Sequence, residues 1–276
     1  MFAGSVPVVA HALLVRGPEA LDEFGLQVGR PVSPMLASPA GSVAEAGSEL
    51  GAVSVEYKLD GARVQIHRAG DDVAVFTRAL RDITAATPEL VALARALPVR
   101  SVVLDGEAMG WHTGPDGDGE VRPMAFQDTM SNVGAGQLRA AFFDCLHLDG
   151  QDLLDEPLRA RLDALEVAVG AQRIPAVLNP AAADAERHYT RAIAAGHEGV
   201  MVKALDSAYA AGRRGKAWRK VKPVHTLDLI VLGAEWGYGR RTGKLSNLHL
   251  GARDPDGGPP IMVGKTFKGL TDRILA

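Results

Sequence analysis

The residues best equipped to do chemistry lie in the octet Glu56-Tyr57-Lys58-Leu59-Asp60-Gly61-Ala62-Arg63. From Val53 to Leu59, apolar Val53, Val55, Tyr57 and Leu59 alternate with Ser54, Glu56, Lys58 and Asp60, the two-residue period of a half-buried strand. Glu56, Lys58 and Asp60 then share one face, and Lys58 becomes a candidate nucleophile between two carboxylates. Gly61 permits a tight turn. Beyond it, Arg63, Gln65 and His67 alternate with Val64 and Ile66 on a returning strand, so Arg63 can face the same pocket. Taken alone, the segment also reads as a solvated strand face of mixed charge.

Four further groups repeat this arrangement. In Val103-Leu104-Asp105-Gly106-Glu107 the two acids share a strand face, and in Phe142-Phe143-Asp144 rings sit beside a carboxylate near a strand start. Glu198-Gly199-Val200-Met201-Val202-Lys203 puts an acid ahead of an apolar strand, and Trp218-Arg219-Lys220-Val221-Lys222 sets Lys220 and Lys222 on one face. Each has a purely structural reading: a turn acid, a core aromatic pair, a helix-end carboxylate, a solvated basic edge. Cys145 is the sole cysteine, so no internal disulfide or cysteine-rich zinc site is possible, and no His-Glu-x-x-His pair occurs. Any metal should be a hard cation on carboxylates. Neither a P-loop nor a Gly-x-Gly-x-x-Gly fingerprint is present.

The elements that must carry these residues follow from periodicity and punctuation. Short helical pieces are expected at Ala10–Val15 and Pro18–Phe24, then a Pro-rich linker at Arg30–Pro34 and a short helix from Ser42. Strands are predicted at Arg63–Arg68, Val73–Arg78, Ser101–Met109, Ala141–Leu148, Gly199–Lys203 and Lys216–Lys222. Thr87-Pro88-Glu89 opens a helix with Thr87 as cap. A second helix follows Asp155, and a third is opened by Asn179-Pro180 and closed by Gly196. Beyond Pro223, Leu227–Glu235, Leu245–Arg253 and Ile261–Phe267 read as short strands beginning a small barrel, with Gly237–Gly243 a basic turn. Gly114–Gly119 reads as a hairpin tip. The fold class is α+β, built on antiparallel sheets with flanking helices.

The chain of 276 residues is 47% hydrophobic and has a formal net charge of −3. The charge is uneven: residues 201–276 hold 14 Lys or Arg against 6 Asp or Glu, a surplus suited to a polyanion or to an ordinary basic surface. No stretch of 18 apolar residues and no signal-peptide pattern occurs, which reads as a soluble, intracellular protein without a membrane partner.

Together the five motifs, in this order, resemble the covalent nucleotidyltransferase superfamily, and most closely the ATP-dependent DNA ligases of the bacterial and archaeal type. The resemblance spans roughly residues 31–270. It implies a nucleotidyltransferase (ATP-grasp-like) domain over 31–223, followed at 224–276 by part of an OB-type β-barrel and preceded at 1–30 by a remnant of a helical DNA-binding domain. Pro223-Val224-His225-Thr226 would be the hinge. It further implies that Lys58 attacks the α-phosphate of ATP and carries AMP. Glu56 would lie at the adenine, Arg63 and Glu107 near the ribose, and Phe143 on the base. Arg78, Arg214, Lys220 and Lys222 would contact phosphate, and Glu107 and Glu198 would hold Mg²⁺ or Mn²⁺. The partners implied are ATP and nicked duplex DNA, joined at 3′-hydroxyl and 5′-phosphate by a monomer in the cytoplasm at the nucleoid. The family's barrel normally continues past the equivalent of Ala276 and ends in a basic motif, so the resemblance also implies impaired self-adenylation. An RNA ligase or mRNA-capping-type nucleotidyltransferase, or an inactive nucleotide- or DNA-binding fragment, shares the same core.

Overall fold

The computed structural model describes residues 6–21, 25–112, 122–123, 138–224, 226–267 and 271. Helix α1 (Val6–Arg16) and a 3-10 turn (Pro18–Leu21) lead to β1 (Leu36–Pro39), α2 (Val43–Leu50), β2 (Val53–Lys58), β3 (Ala62–Ala69) and β4 (Asp72–Thr77). There follow α3 (Pro88–Ala96), β5 (Ser101–His112), β6 (Arg122–Pro123), β7 (Leu138–Leu148), β8 (Gln151–Asp152), α4 (Leu158–Val169), β9 (Ala176–Leu178) and α5 (Ala182–Ala194). Strands β10 (Gly199–Ala204), β11 (Arg214–Val221), β12 (Ile230–Trp236), β13 (Leu245–Ala252) and β14 (Ile261–Thr266) complete the order. Two compact units result, Met1–Pro223 and Val224–Ala276.

The first unit contains two sheets. One runs β1-β11-β10-β2-β9, the other β4-β3-β5-β7-β8 with β6 on β5. Among the described residues their strand pairings are antiparallel except β1 with β11, which is parallel and was not expected. Three apolar clusters fix the layering. Leu90 and Ala94 of α3 and Leu158, Leu162 and Leu165 of α4 pack on Val64, Ile66, Val102 and Leu104. Val43 and Ala46 of α2 and Ala185 and Ala192 of α5 cover Val53, Val55, Val200 and Val202. Between the sheets lie Met35, Leu59, Val103, Phe143, Leu146, Tyr209 and Trp218.

Local chemistry explains the element ends. The Ser42 hydroxyl accepts from the Glu45 amide at 3.1 Å, and the Glu45 carboxylate accepts from the Gly41 amide at 2.7 Å, a reciprocal cap that starts α2. Thr87 sits at the N-cap of α3 but makes no side-chain cap bond; its hydroxyl instead donates to the Ile83 carbonyl at 3.0 Å. Asn179 does not open α5, because it turns left-handed at φ 43° and the helix starts three residues later with Ala181 as cap. Gly196, at φ 82°, follows that helix as expected.

Several expectations fail for tertiary reasons. Strand β2 is buried on both faces, Ser54 and Glu56 as fully as Val53 and Val55, because α2 and α5 cover one side and the facing sheet the other. It also ends at Lys58, so Asp60 is exposed beyond it instead of sharing its face. Gly61 serves close packing more than the turn: a Cβ there would lie 2.5 Å from the Ala108 carbonyl and 2.7 Å from Met109 Cγ. The Pro-rich stretch expected as a linker, Arg30–Pro34, is packed through buried Val32, and Met35 just beyond it is buried as well.

In the second unit β12, β13 and β14 form an antiparallel sheet of OB type, and Gly239–Arg241 is a 3-10 turn within the β12–β13 connection. The expected hairpin tip at Gly114–Gly119, and residues 22–24 of the expected helix, lie outside the described residues.

Candidate active site

Residues of both sheets of the first unit line a cavity of about 790 Å³. All ten residues singled out as site candidates are on its wall: Glu56, Lys58, Arg63, Arg78, Glu107, Phe143, Glu198, Arg214, Lys220 and Lys222. They arrive from β2, β3, the end of β4, β5, β7, and the ends of β10 and β11.

Lys58 is the last residue of β2 and pairs in register with Gly199. Its ammonium is ion-paired with one oxygen of Glu198, whose other oxygen holds Lys222. Gly199 makes this possible: it adopts φ +143°, and any Cβ would collide with the Val221 carbonyl, so β10 and β11 can converge only at a glycine. Burial lowers the Lys58 pKa. Glu107 and Asp60 oppose that effect, and Arg78 adds to it. Lys222 is lowered too, first by burial and then by Lys58, with Asp60 opposing. Two amines sharing one carboxylate in a partly dry pocket are thus biased toward losing a proton.

Glu107 lies opposite Arg63 in the β3–β5 register. Burial pushes its carboxyl up to about 7; Lys58 and Arg63 oppose the rise and Asp105 reinforces it. Arg63 is more constrained than a ligand-binding arginine need be. Its Nε and Nη2 donate to Asp105 at 2.9 and 2.6 Å, its Nη1 to the Met35 carbonyl at 2.7 Å, and its Nη2 to the Tyr209 hydroxyl at 3.3 Å. Among the described residues, these bonds engage four of the five guanidinium N–H groups.

Phe143 and Trp218 form an edge-to-face wall with centroids 6.0 Å apart. Behind them Lys203 extends its Nζ to 2.5 Å from Glu56 and 3.1 Å from the Phe143 carbonyl, 4.5 and 4.4 Å from the two ring centroids. Ser54 donates to the other Glu56 oxygen at 2.9 Å. Arg78 and Arg214 are exposed at the rim, and Arg214 donates to the Ala37 carbonyl at 3.1 Å. Lys220 is half-buried on β11 opposite Met201.

Lys203, Asp105 and Trp218 stand inside the sequence motifs with no role evident from them, and Tyr209 stands outside every motif. The signal for Lys203 was its parity: it shares a strand face with Met201, pointing inward in a run that is otherwise apolar. Asp144 proves structural; it is fully buried and bound by Arg161 at 2.7 and 3.2 Å. The basic surplus after residue 200 also divides. Seven of the fourteen cations belong to the first unit, where Lys203 and Arg219 are buried in ion pairs. Among the described residues no cluster of three or more His, Cys, Asp or Glu forms a ready-made cation site, while Glu107 and Glu198 both reach the cavity.

Comparison with known proteins gives this geometry a family. A family model described as "ATP dependent DNA ligase domain" matches residues 34–222, the span that builds the cavity. A probable DNA ligase of Saccharopolyspora erythraea is 62% identical over 281 residues, covering 100% of this chain and 54% of that protein. One of Rhodococcus opacus is likewise 62% identical, with 55% of its length covered. The chain thus spans about half the length of the curated relatives it matches. Among solved structures, a mycobacterial DNA ligase D complexed with ATP and MES superposes with a TM-score of 0.59 at 28% identity, over 88% of this chain and 75% of that one. The fold is shared by a Lig E DNA ligase at 18% identity, with a TM-score of 0.56 over 88% of this chain and 86% of that one. With the model match running from Pro34, just ahead of β1, to Lys222 at the cavity, the chain belongs to the ATP-dependent DNA ligase family.

Proposed function

We propose that the first unit catalyses nucleotidyl transfer from ATP to Lys58, and that the protein uses the adduct to seal 3′-hydroxyl and 5′-phosphate ends at nicks in duplex DNA. The observation that carries this reading is the placement of Lys58, with its lowered pKa, among Glu198, Lys222, Lys220 and Arg78 on one cavity. In the first step the neutral Lys58 amine attacks the α-phosphorus. A P–N bond forms, the bond to the pyrophosphate oxygen breaks, the amine proton leaves to water, and pyrophosphate departs. Lys220, Lys222, Arg78 and Arg214 would hold the phosphate oxygens as charge develops. Phe143 and Trp218 offer an apolar aromatic wall for the base, and Glu56 an acceptor beside it. Arg63 and Glu107 would face the ribose.

A hard divalent cation, Mg²⁺ or Mn²⁺, suits this donor set, because such ions bind through one or two carboxylates plus substrate phosphates instead of a full protein cage. Glu107 and Glu198 would hold it, and when bound it neutralises phosphate charge. The AMP would then pass to a 5′-phosphate, and the 3′-hydroxyl would displace it. Cations outside the buried pairs, with the Arg240-Arg241 turn among them, would contact the DNA backbone at the nucleoid, and binding should weaken steeply with salt.

The test is incubation with α-labelled ATP and Mg²⁺ followed by intact-mass analysis and peptide mapping, with Lys58→Ala as control and GTP and nicked RNA as competing substrates. An AMP adduct confined to Lys58 and passed to nicked DNA is expected. An adduct elsewhere, or with GTP only, would overturn the proposal.

A further inference from the structure

The segment that precedes β1 is tied to β3 at every second residue. The Gly29 amide donates to His67 Nδ1 at 3.0 Å, and the Val32 amide to Gln65 Oε1 at 2.8 Å. Gln65 Nε2 returns a bond to the Val32 carbonyl at 3.3 Å, and Arg63 Nη1 donates to the Met35 carbonyl at 2.7 Å. From the other side the Met35 amide donates to the Tyr209 hydroxyl at 3.0 Å, while the Gly212 amide donates to the Ser33 carbonyl at 2.9 Å. The Tyr209 hydroxyl itself donates to Asp105 at 2.7 Å, the same oxygen that receives Arg63 Nη2.

We infer that residues 29–36 form a positioning strap for Arg63, with Gln65, His67 and Tyr209 as positioning residues that set the guanidinium against the nucleotide cavity without touching the nucleotide. None of these three residues lines the cavity, yet each ends in the chain of bonds that holds Arg63. Among the described residues the strap has no strand ladder before Leu36, and its Gly29, Val32 and Met35 amides depend on these side chains. His67 serves because its imidazole stays neutral: burial, aided by His147, lowers its pKa to about 3, leaving Nδ1 as an acceptor and Nε2–H to donate to Gln65 Oε1 at 2.9 Å. Releasing the strap removes the Met35 carbonyl from Arg63 and loosens Tyr209, so the guanidinium can turn about its remaining Asp105 contacts. The inference rests on the proposal that this cavity binds ATP, but the position of Arg63 can be read without ATP.

The test uses the full 276-residue chain carrying Gln65→Met, which keeps length and removes both Val32 bonds. Tyr209→Phe, which frees the Met35 amide, removes the direct Arg63 Nη2 contact and keeps the ring, is a second variant releasing the strap from the opposite side. Leu165→Ala, a core change under α4, controls for general destabilisation. Three readouts are amide exchange at Gly29, Val32 and Met35, exchange of the Arg63 Nε–H by nuclear magnetic resonance, and the ATP dependence of Lys58 adenylation. In either strap variant, faster amide exchange should come with about tenfold faster Arg63 exchange and about tenfold higher KM for ATP, at nearly unchanged saturating rate, the scale of one charge-assisted hydrogen bond. The control should move none of these. If the strap opens while Arg63 exchange stays at the wild-type rate, or if Arg63 is freed and KM is unchanged, the inference is wrong. No ATP binding by the wild-type protein, together with the expected Arg63 response in the strap variants, would refute the proposed function and leave the strap standing.

Discussion

Lys203→Met is the substitution whose cost follows most directly from the geometry. Lys203 and Glu56 are each about 1% exposed, with Nζ and Oε2 2.5 Å apart, and the ammonium also serves the Phe143 carbonyl. Methionine fills the slot between the Phe143 and Trp218 rings and replaces a cation–π contact by a weaker sulfur–aromatic one. Among the described residues it leaves the buried Glu56 carboxylate with Ser54 as its one donor. Breaking one side of a buried pair costs about 3–5 kcal/mol, whereas exchanging both partners for apolar residues of similar volume is close to neutral. Denaturant unfolding of the first unit should therefore show a loss of about 3–5 kcal/mol for Lys203→Met and recovery to within about 1 kcal/mol for Glu56→Leu/Lys203→Met. Because Glu56 also lines the cavity, the double variant should regain stability without regaining affinity for ATP. A single-variant cost below about 1 kcal/mol, or two costs that simply add, would show that the pair is not the buried couple its geometry describes.

Three further outcomes are expected. The rate of Lys58 adduct formation should level off below pH 10.5, the ordinary value for lysine, because burial lowers the amine; Arg78→Ala should move the midpoint up and Asp60→Asn should move it down. Single-turnover rates across pH decide this, and shifts in the reverse directions would contradict the electrostatics. Gly61→Ala should cost about 2 kcal/mol or more in thermal or denaturant unfolding, since the new methyl meets the backbone carbonyl of Ala108 at 2.5 Å. His67, lowered from 6.5 to about 3, should make the first unit acid-labile. Its contribution is whole above pH 6.5 and is lost as pH falls through 3, a change of order 4 kcal/mol that His67→Gln should largely abolish in a pH series of unfolding curves.

Most strands were legible because their signal is local. The alternation at Arg63–Arg68 and the apolar run at Gly199–Lys203 reappear as β3 and β10 to within a residue or two. What was illegible depends on partners distant in the chain. The parallel strand β1 is four residues long and exists only because β11 lies beside it. Strand β2 looked half-solvated because an alternating pattern cannot distinguish water from a polar interior. Its hydrophilic face is dry, and Ser54 and Glu56 find their partners in each other and in Lys203.

The same distinction separates the site residues that sequence revealed from those it hid. Lys58, Glu107, Glu198 and Lys220 stand in short motifs whose order along the chain suffices to group them. Lys203 closes one of those motifs with no role evident from it, whereas Met35 and Tyr209 stand outside them all and meet across 174 positions. Their contribution is to immobilise: Tyr209 holds Met35 and Asp105, and both hold Arg63. Groups that touch a reacting phosphate must present particular charges, so their types are restricted and recognisable. Groups that fix those charges need only a donor or acceptor in the right place, and a backbone carbonyl such as that of Met35 supplies one without any constraint on the side chain. Strain or release in the strap therefore reaches Arg63 through atoms whose sequence identity says nothing about the site.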